Sequence, residues 1–122
     1  MIRLAVAAGM CFGAAPAELR GVWVARDSLN SREQIREMMR TLADANFNAA
    51  FIDVWSRGYP AWPSEVFERE TGIRIDPTYA GRDILQEAIE EGKPLGISVI
   101  PWFEYGFVGG WSGYFPGEGK RG

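Results

Sequence analysis

The sequence predicts an α/β fold built on a parallel sheet, and three observations predict it. Three short apolar runs rich in Val, Ile and aromatics read as buried strands: Gly21 to Asp27, Ala49 to Arg57 and Ile97 to Tyr105. A helical pattern separates each run from the next, so the order strand, helix, strand, helix, strand requires right-handed parallel crossovers. The connections are unequal. Helix-to-strand turns are short, whereas the stretch from Ser56 to about Gly81 is long and carries Tyr59, Trp62, Phe67 and Tyr79 with several prolines. Long loops after strands, at the carboxyl edge of a parallel sheet, are the asymmetry of a barrel. The fold class expected is therefore a partial (β/α)8 TIM barrel: the first three parallel strands with two intervening helices.

Taken in order, the amino end comes first. Arg3 gives a positive start, Leu4 to Ala15 is a run of small apolar residues, and Ala15-Pro16-Ala17 has the form of a cleavage site. Residues 1–17 read as a signal peptide, too short to span a bilayer, which implies an exported protein: periplasmic, cell-surface or extracellular. An acylated Cys11 is the lipoprotein alternative. Residues 18–122 form the domain. In it Ser31 is the expected N-cap of the first helix, with Gln34 completing a capping box. Ile35, Met38, Met39 and Leu42 make its apolar stripe, and Asn46 its left-handed end. The second helix is expected from about Arg82 to Glu91, with Ile84, Leu85, Ala88 and Ile89 buried and Gly92 as its stop.

Composition narrows the chemistry. The 122 residues carry a formal net charge of −3, no histidine and one cysteine. The charge and the lack of any basic run argue against nucleic acid. Without histidine, neither a Ser-His-Asp nor a Cys-His device is complete within the chain, and a His-based metal site is excluded. No Gly-rich phosphate loop follows any strand. No cofactor is expected.

Strand alternation assigns faces. Phe51, Asp53, Trp55 and Arg57 share one face of the second strand, opposite Ala50, Ile52 and Val54. Trp23, Ala25 and Asp27 oppose Val22 and Val24, and Ile100, Trp102 and Glu104 oppose Val99, Pro101 and Phe103. The β-branched set suits the helices. The set with indoles and carboxylates then faces the barrel interior and its mouth, since the reverse buries Asp53 unpaired. Pro101 is unusual within a strand and points to an irregularity there.

At this point the residues resemble a known family. Leu19 to Val24, Ala45-Asn46-Phe47-Asn48 with the strand after it, Arg57-Gly58-Tyr59, Trp62-Pro63-Ser64, Asp76-Pro77 and Gly96 to Phe107 are similar to the glycoside-hydrolase-like family 10, a mostly exported bacterial group. The resemblance implies a (β/α)8 barrel acting on a polysaccharide or cell-wall glycan. Two departures accompany it. The histidine usual before the third strand is replaced by the longer Glu90 to Gly96 stretch, and a whole barrel takes about 250 residues. The expectation is an amino-terminal fragment.

Glycoside hydrolysis uses two carboxyl groups. Glu104 and Asp53 are the catalytic candidates. The structural alternative for Glu104 is a partner for Arg57 or Arg26. For Asp53 it is a buried salt bridge to Arg57 or Arg26, in which case Asp53→Asn would destabilise by stranding a guanidinium. Asp27 is a rim ligand or, preferably, a helix-entry residue. The substrate-binding candidates are Trp55, Arg57, Tyr59, Trp62, Trp102, Tyr105 and Trp111, as stacking platforms or polar contacts. Trp23 and Trp55 are expected to pack inside, Trp62 and Trp111 to be exposed. The alternative functions are a non-catalytic carbohydrate-binding surface module and a non-functional truncated product.

Overall fold

The computed structural model describes residues 18–104; the expected signal peptide, Tyr105 and Trp111 lie outside the described residues. Four strands and three helices follow in the order β1 (Gly21–Val24), α1 (Arg32–Asp44), β2 (Ala49–Ser56), β3 (Tyr59–Pro60), α2 (Glu65–Thr71), α3 (Ile84–Gly92) and β4 (Ser98–Phe103), with 3-10 turns at Arg26–Leu29, Pro77–Tyr79 and Lys93–Leu95. β1, β2 and β4 are the three expected strands. They are parallel and adjacent in that order, with Trp23 opposite Phe51 and Phe51 opposite Ile100. A parallel sheet with helices between consecutive strands is the start of a (β/α) barrel.

Local chemistry sets the helix boundaries. Ser31 caps α1, its hydroxyl accepting the Gln34 N–H at 3.1 Å, and Asn46 leaves the helix at φ 63°. Asp83 caps α3 by accepting the Gln86 N–H at 2.9 Å. α3 ends at Gly92 as expected, and the left-handed turn is made by Gly96 at φ 71° after one 3-10 turn. Gly92 also answers a packing need. A Cβ there would stand 3.3 Å from both Met39 Sδ and the Ile97 carbonyl.

One face of the sheet is covered. Val24, Ala50, Ile52 and Val54 pack with Ile35 and Met39 of α1 and Ile84 and Ala88 of α3. Arg32 and Arg36 of α1 join Glu90 and Glu91 of α3 along the outer seam at 2.7–3.0 Å. The opposite face carries Trp23 and Phe51, stacked with ring centroids 4.9 Å apart. Trp23 is 66% exposed, which corrects its expected interior position. It points to the side where, among the described residues, no element packs over the sheet.

The stretch after β2 holds more structure than its composition suggested. Arg57 and Gly58, both at positive φ (58° and 83°), make a two-residue hairpin turn, and Tyr59–Pro60 pairs antiparallel with Trp55 and Ser56. α2 follows, capped by Ser64, whose hydroxyl accepts the Phe67 N–H at 3.2 Å. The return path is anchored backbone to backbone: Asp76 N–H to the Pro60 carbonyl at 2.7 Å and Ile84 N–H to the Ala61 carbonyl at 3.1 Å. The loop is thereby fixed against the carboxyl end of β2.

Candidate active site

The carboxyl ends of β1, β2 and β4 lie along one rim. β1 delivers Arg26 and Asp27, β2 delivers Asp53 and Ser56, and β4 delivers Trp102 and Glu104. Asp53 sits between the core residues Ile52 and Val54, so its side chain projects from the other face, where it is 4% exposed. Trp102 stands opposite it in the parallel register.

The register then breaks. Asp53 pairs with Trp102, but the next pair is Trp55 with Phe103, leaving Val54 as an extra residue on β2. A bulge of this kind resets alternation. Past it Ser56, rather than Trp55 or Arg57, stands with the acids. The Ser56 hydroxyl donates to Glu104 Oε2 at 2.7 Å, and the Glu104 N–H donates to the Trp55 carbonyl at 2.8 Å. Glu104 is thus tied to β2 twice, by side chain and by backbone, and remains half-buried.

A pocket of about 360 Å³ opens here, lined by Trp23, Arg26, Asp27, Asp53, Trp102 and Glu104 among others. Within it the Asp53 carboxyl is pushed above the usual carboxylate range, first by burial and then by the charge of Glu104. The positive charge of Arg26, the Trp55 amide and the Ser56 side chain oppose that rise. Asp53 Oδ1 and the Trp102 indole N–H are buried without a hydrogen-bond partner among the described residues.

Asp53 takes part in no ion pair among the described residues, which corrects the expected salt bridge to an arginine. Arg26 is engaged elsewhere. Its Nη2 donates to Asp76 Oδ2 at 2.6 Å, and its guanidinium carbon lies 5.3 Å from the centroid of the Tyr79 ring. Asp76 is completely buried, and its Oδ1 also accepts the Thr78 N–H at 2.8 Å. Arg57 is exposed in the hairpin turn, off the strand, where its left-handed backbone carries it out of the alternation that would have aimed it at Asp53.

The aromatic candidates divide. Trp102 lines the pocket. Trp55, 9% exposed, is turned into a separate cluster with Phe67 (centroids 5.4 Å apart, near-perpendicular), Trp62 and Phe103. Tyr59 packs edge-on against Phe67 and is 4% exposed, so its ring is enclosed. Trp62 is half-buried against the core rather than open to solvent. Asp27 lies in the first 3-10 turn, where its backbone carbonyl accepts the Asn30 amide at 2.9 Å, and it also borders the pocket. Ser56 and Asp76 were not anticipated. Asp76 had a visible sign, being an acid directly before a proline in an aromatic loop; Ser56 had none, since its position depends on the bulge.

Among the described residues no group of His, Cys, Asp and Glu is arranged to hold a metal ion, and no helix is long and apolar enough to cross a membrane. Comparison with curated proteins finds no match. Acids and indoles at the carboxyl rim of a parallel βα sheet are what strand alternation led the sequence to suggest. The family described as glycosyl hydrolase-like 10 matches residues 18–110, most of the chain, and the chain belongs to that family.

Proposed function

We propose that this rim is part of the active site of a glycosidase acting on a polysaccharide or cell-wall glycan, and that Asp53 and Glu104 are its carboxyl groups on these strands. The observation that carries the reading is the meeting over one pocket of a half-buried Glu104 and a buried Asp53 whose carboxyl is pushed above the usual carboxylate range. Carboxyl groups in unlike environments divide the work of acid and base. Asp53 in its protonated form gives its proton to the glycosidic oxygen as the bond to the anomeric carbon breaks. Glu104, as the second carboxyl group, acts at the anomeric carbon or on the water that attacks it. The buried Asp53 oxygen and the Trp102 indole N–H suit a sugar hydroxyl, which donates and accepts at once, and buried polar groups of native proteins are rarely left without partners. Export, read from residues 1–17, is part of the same proposal.

The test is Glu104→Gln in a chain carrying all eight βα units, assayed on a panel of soluble polysaccharides and cell-wall glycan. Hydrolysis should be abolished with the melting temperature unchanged; turnover at the parent rate would remove Glu104 from the chemistry. A non-catalytic carbohydrate-binding role has its own observation, the exposed indole of Trp23 bordering the same pocket as Trp102. It predicts glycan binding without turnover in the parent protein.

A further inference from the structure

We propose that Ser56 is a positioning residue for Glu104, a role that rests for its catalytic consequence on the glycosidase reading above. Three features converge on it. Ser56 is 3% exposed, buried at the end of β2. Its hydroxyl donates to Glu104 Oε2 at 2.7 Å, a distance typical of a hydroxyl bound to a carboxylate, and its side chain also bears on Asp53. And it occupies that position only because Val54 is an extra residue: by strict alternation Ser56 would face the helices with Val54 and Ile52.

The physical need is plain. Glu104 is the first residue past β4, and its N–H donates to the Trp55 carbonyl of β2. A backbone bond fixes the Cα but leaves three side-chain torsions free. The Ser56 hydroxyl removes that freedom and keeps the carboxylate over the pocket, beside Asp53. It is a short side chain on a bulged strand, and its own rotamer is set by burial. A loose carboxylate at this point would sample solvent instead of the pocket, and misplacement of a reacting group by about 1 Å is enough to cost about 100-fold in rate.

The experiment compares Ser56→Ala and Ser56→Thr in the full chain. The readout is the carbon-13 resonance of the Glu104 carboxylate together with a crystal structure of each variant. In Ser56→Ala the resonance should shift and the carboxylate leave its place beside Ser56, while Trp102 and the backbone of β2 stay. Ser56→Thr keeps a hydroxyl and should restore both. In the glycan assay Ser56→Ala should lower kcat by roughly 10- to 100-fold, the worth of one hydrogen bond to a charged group, with KM little changed. An unmoved carboxylate and resonance in Ser56→Ala would overturn the proposal. If Glu104→Gln abolishes hydrolysis while Ser56→Ala does not slow it, the glycosidase reading stands and the role of Ser56 falls. If Ser56→Ala frees the carboxylate but Glu104→Gln hydrolyses normally, the positioning stands and the catalytic reading falls.

Discussion

Removing the Asp76 carboxylate should be the most damaging single change in the described structure. Asp76 has no exposure to solvent, and the Arg26 side chain it binds is 19% exposed. Asp76→Ala deletes the 2.6 Å bond to Arg26 and the 2.8 Å cap on Thr78, and it leaves a guanidinium held beside Tyr79 without its counter-charge. Breaking a buried pair by removing one partner costs about 3–5 kcal/mol. The partial exposure of Arg26 lets water screen it, so the lower figure, about 3 kcal/mol, is the expected one. That is a large fraction of the roughly 5–15 kcal/mol by which domains are stable, and it should lower the melting temperature by about 10 °C. Asp76→Asn keeps the volume and the Thr78 acceptor but not the charge, and should cost about half as much. Denaturant melts of Arg26→Met, Asp76→Ala and the double variant test the origin of the loss. If the pair is the cause, the double variant is less destabilised than the two single losses added together. Strict additivity, or an Asp76→Ala protein that melts within about 2 °C of the parent, would show that the 2.6 Å contact carries no such energy.

Two further expectations follow from the same geometry. The folded-state pKa of Asp53 is raised above its ordinary value of 3.8, so the fold binds that proton more tightly than the unfolded chain does. Stability is therefore lost as pH rises from the ordinary value through the raised one, and Asp53→Asn, which removes the charge, should be more stable than the parent at neutral pH and equal to it in acid. Urea melts at about pH 4 and about pH 8 measure this, and a variant less stable at the higher pH would contradict it. Ser31→Ala should cost about 1 kcal/mol through loss of the α1 N-cap, seen as a lower denaturation midpoint with an unchanged slope.

The fold was legible where local chemistry and periodicity agree. Ser31, Asn46 and the Ile35–Met39 stripe announce α1 by mechanisms that act within a few residues, and the three apolar runs between such helices leave little choice but parallel pairing. The structure hidden in the long loop was not legible, because α2 has seven residues, none of them buried, and a two-residue β3 has no periodicity to detect. Trp23 was misplaced for a different reason. A large aromatic in a strand is usually interior, but which face is interior depends on what packs over it, and that information is not local.

The site shows the same boundary more sharply. Alternation placed Asp53 correctly against Ile52 and Val54 and set Trp102 beside it, because up to that pair the strands are regular. One extra residue, Val54, then moved Trp55 into the rim cluster with Phe67 and Trp62 and brought Ser56 to Glu104. Arg57 left the strand altogether, and the arginine expected at Asp53 turned out to be committed to Asp76. Asp53 is costly as a structural residue, for burial and Glu104 oppose its charge and outweigh the support of Arg26, the Trp55 amide and Ser56. Rules that hold along a regular strand fail most informatively where a protein departs from regularity for a purpose. Here the bulge, the buried acid with its raised pKa and the serine-held carboxylate fall within four residues of β2 and the first residue beyond β4. A fold needing only stability would be served better by unbroken pairing and an apolar residue at position 53, so the cost borne at this one point is itself a reason to place the chemistry there.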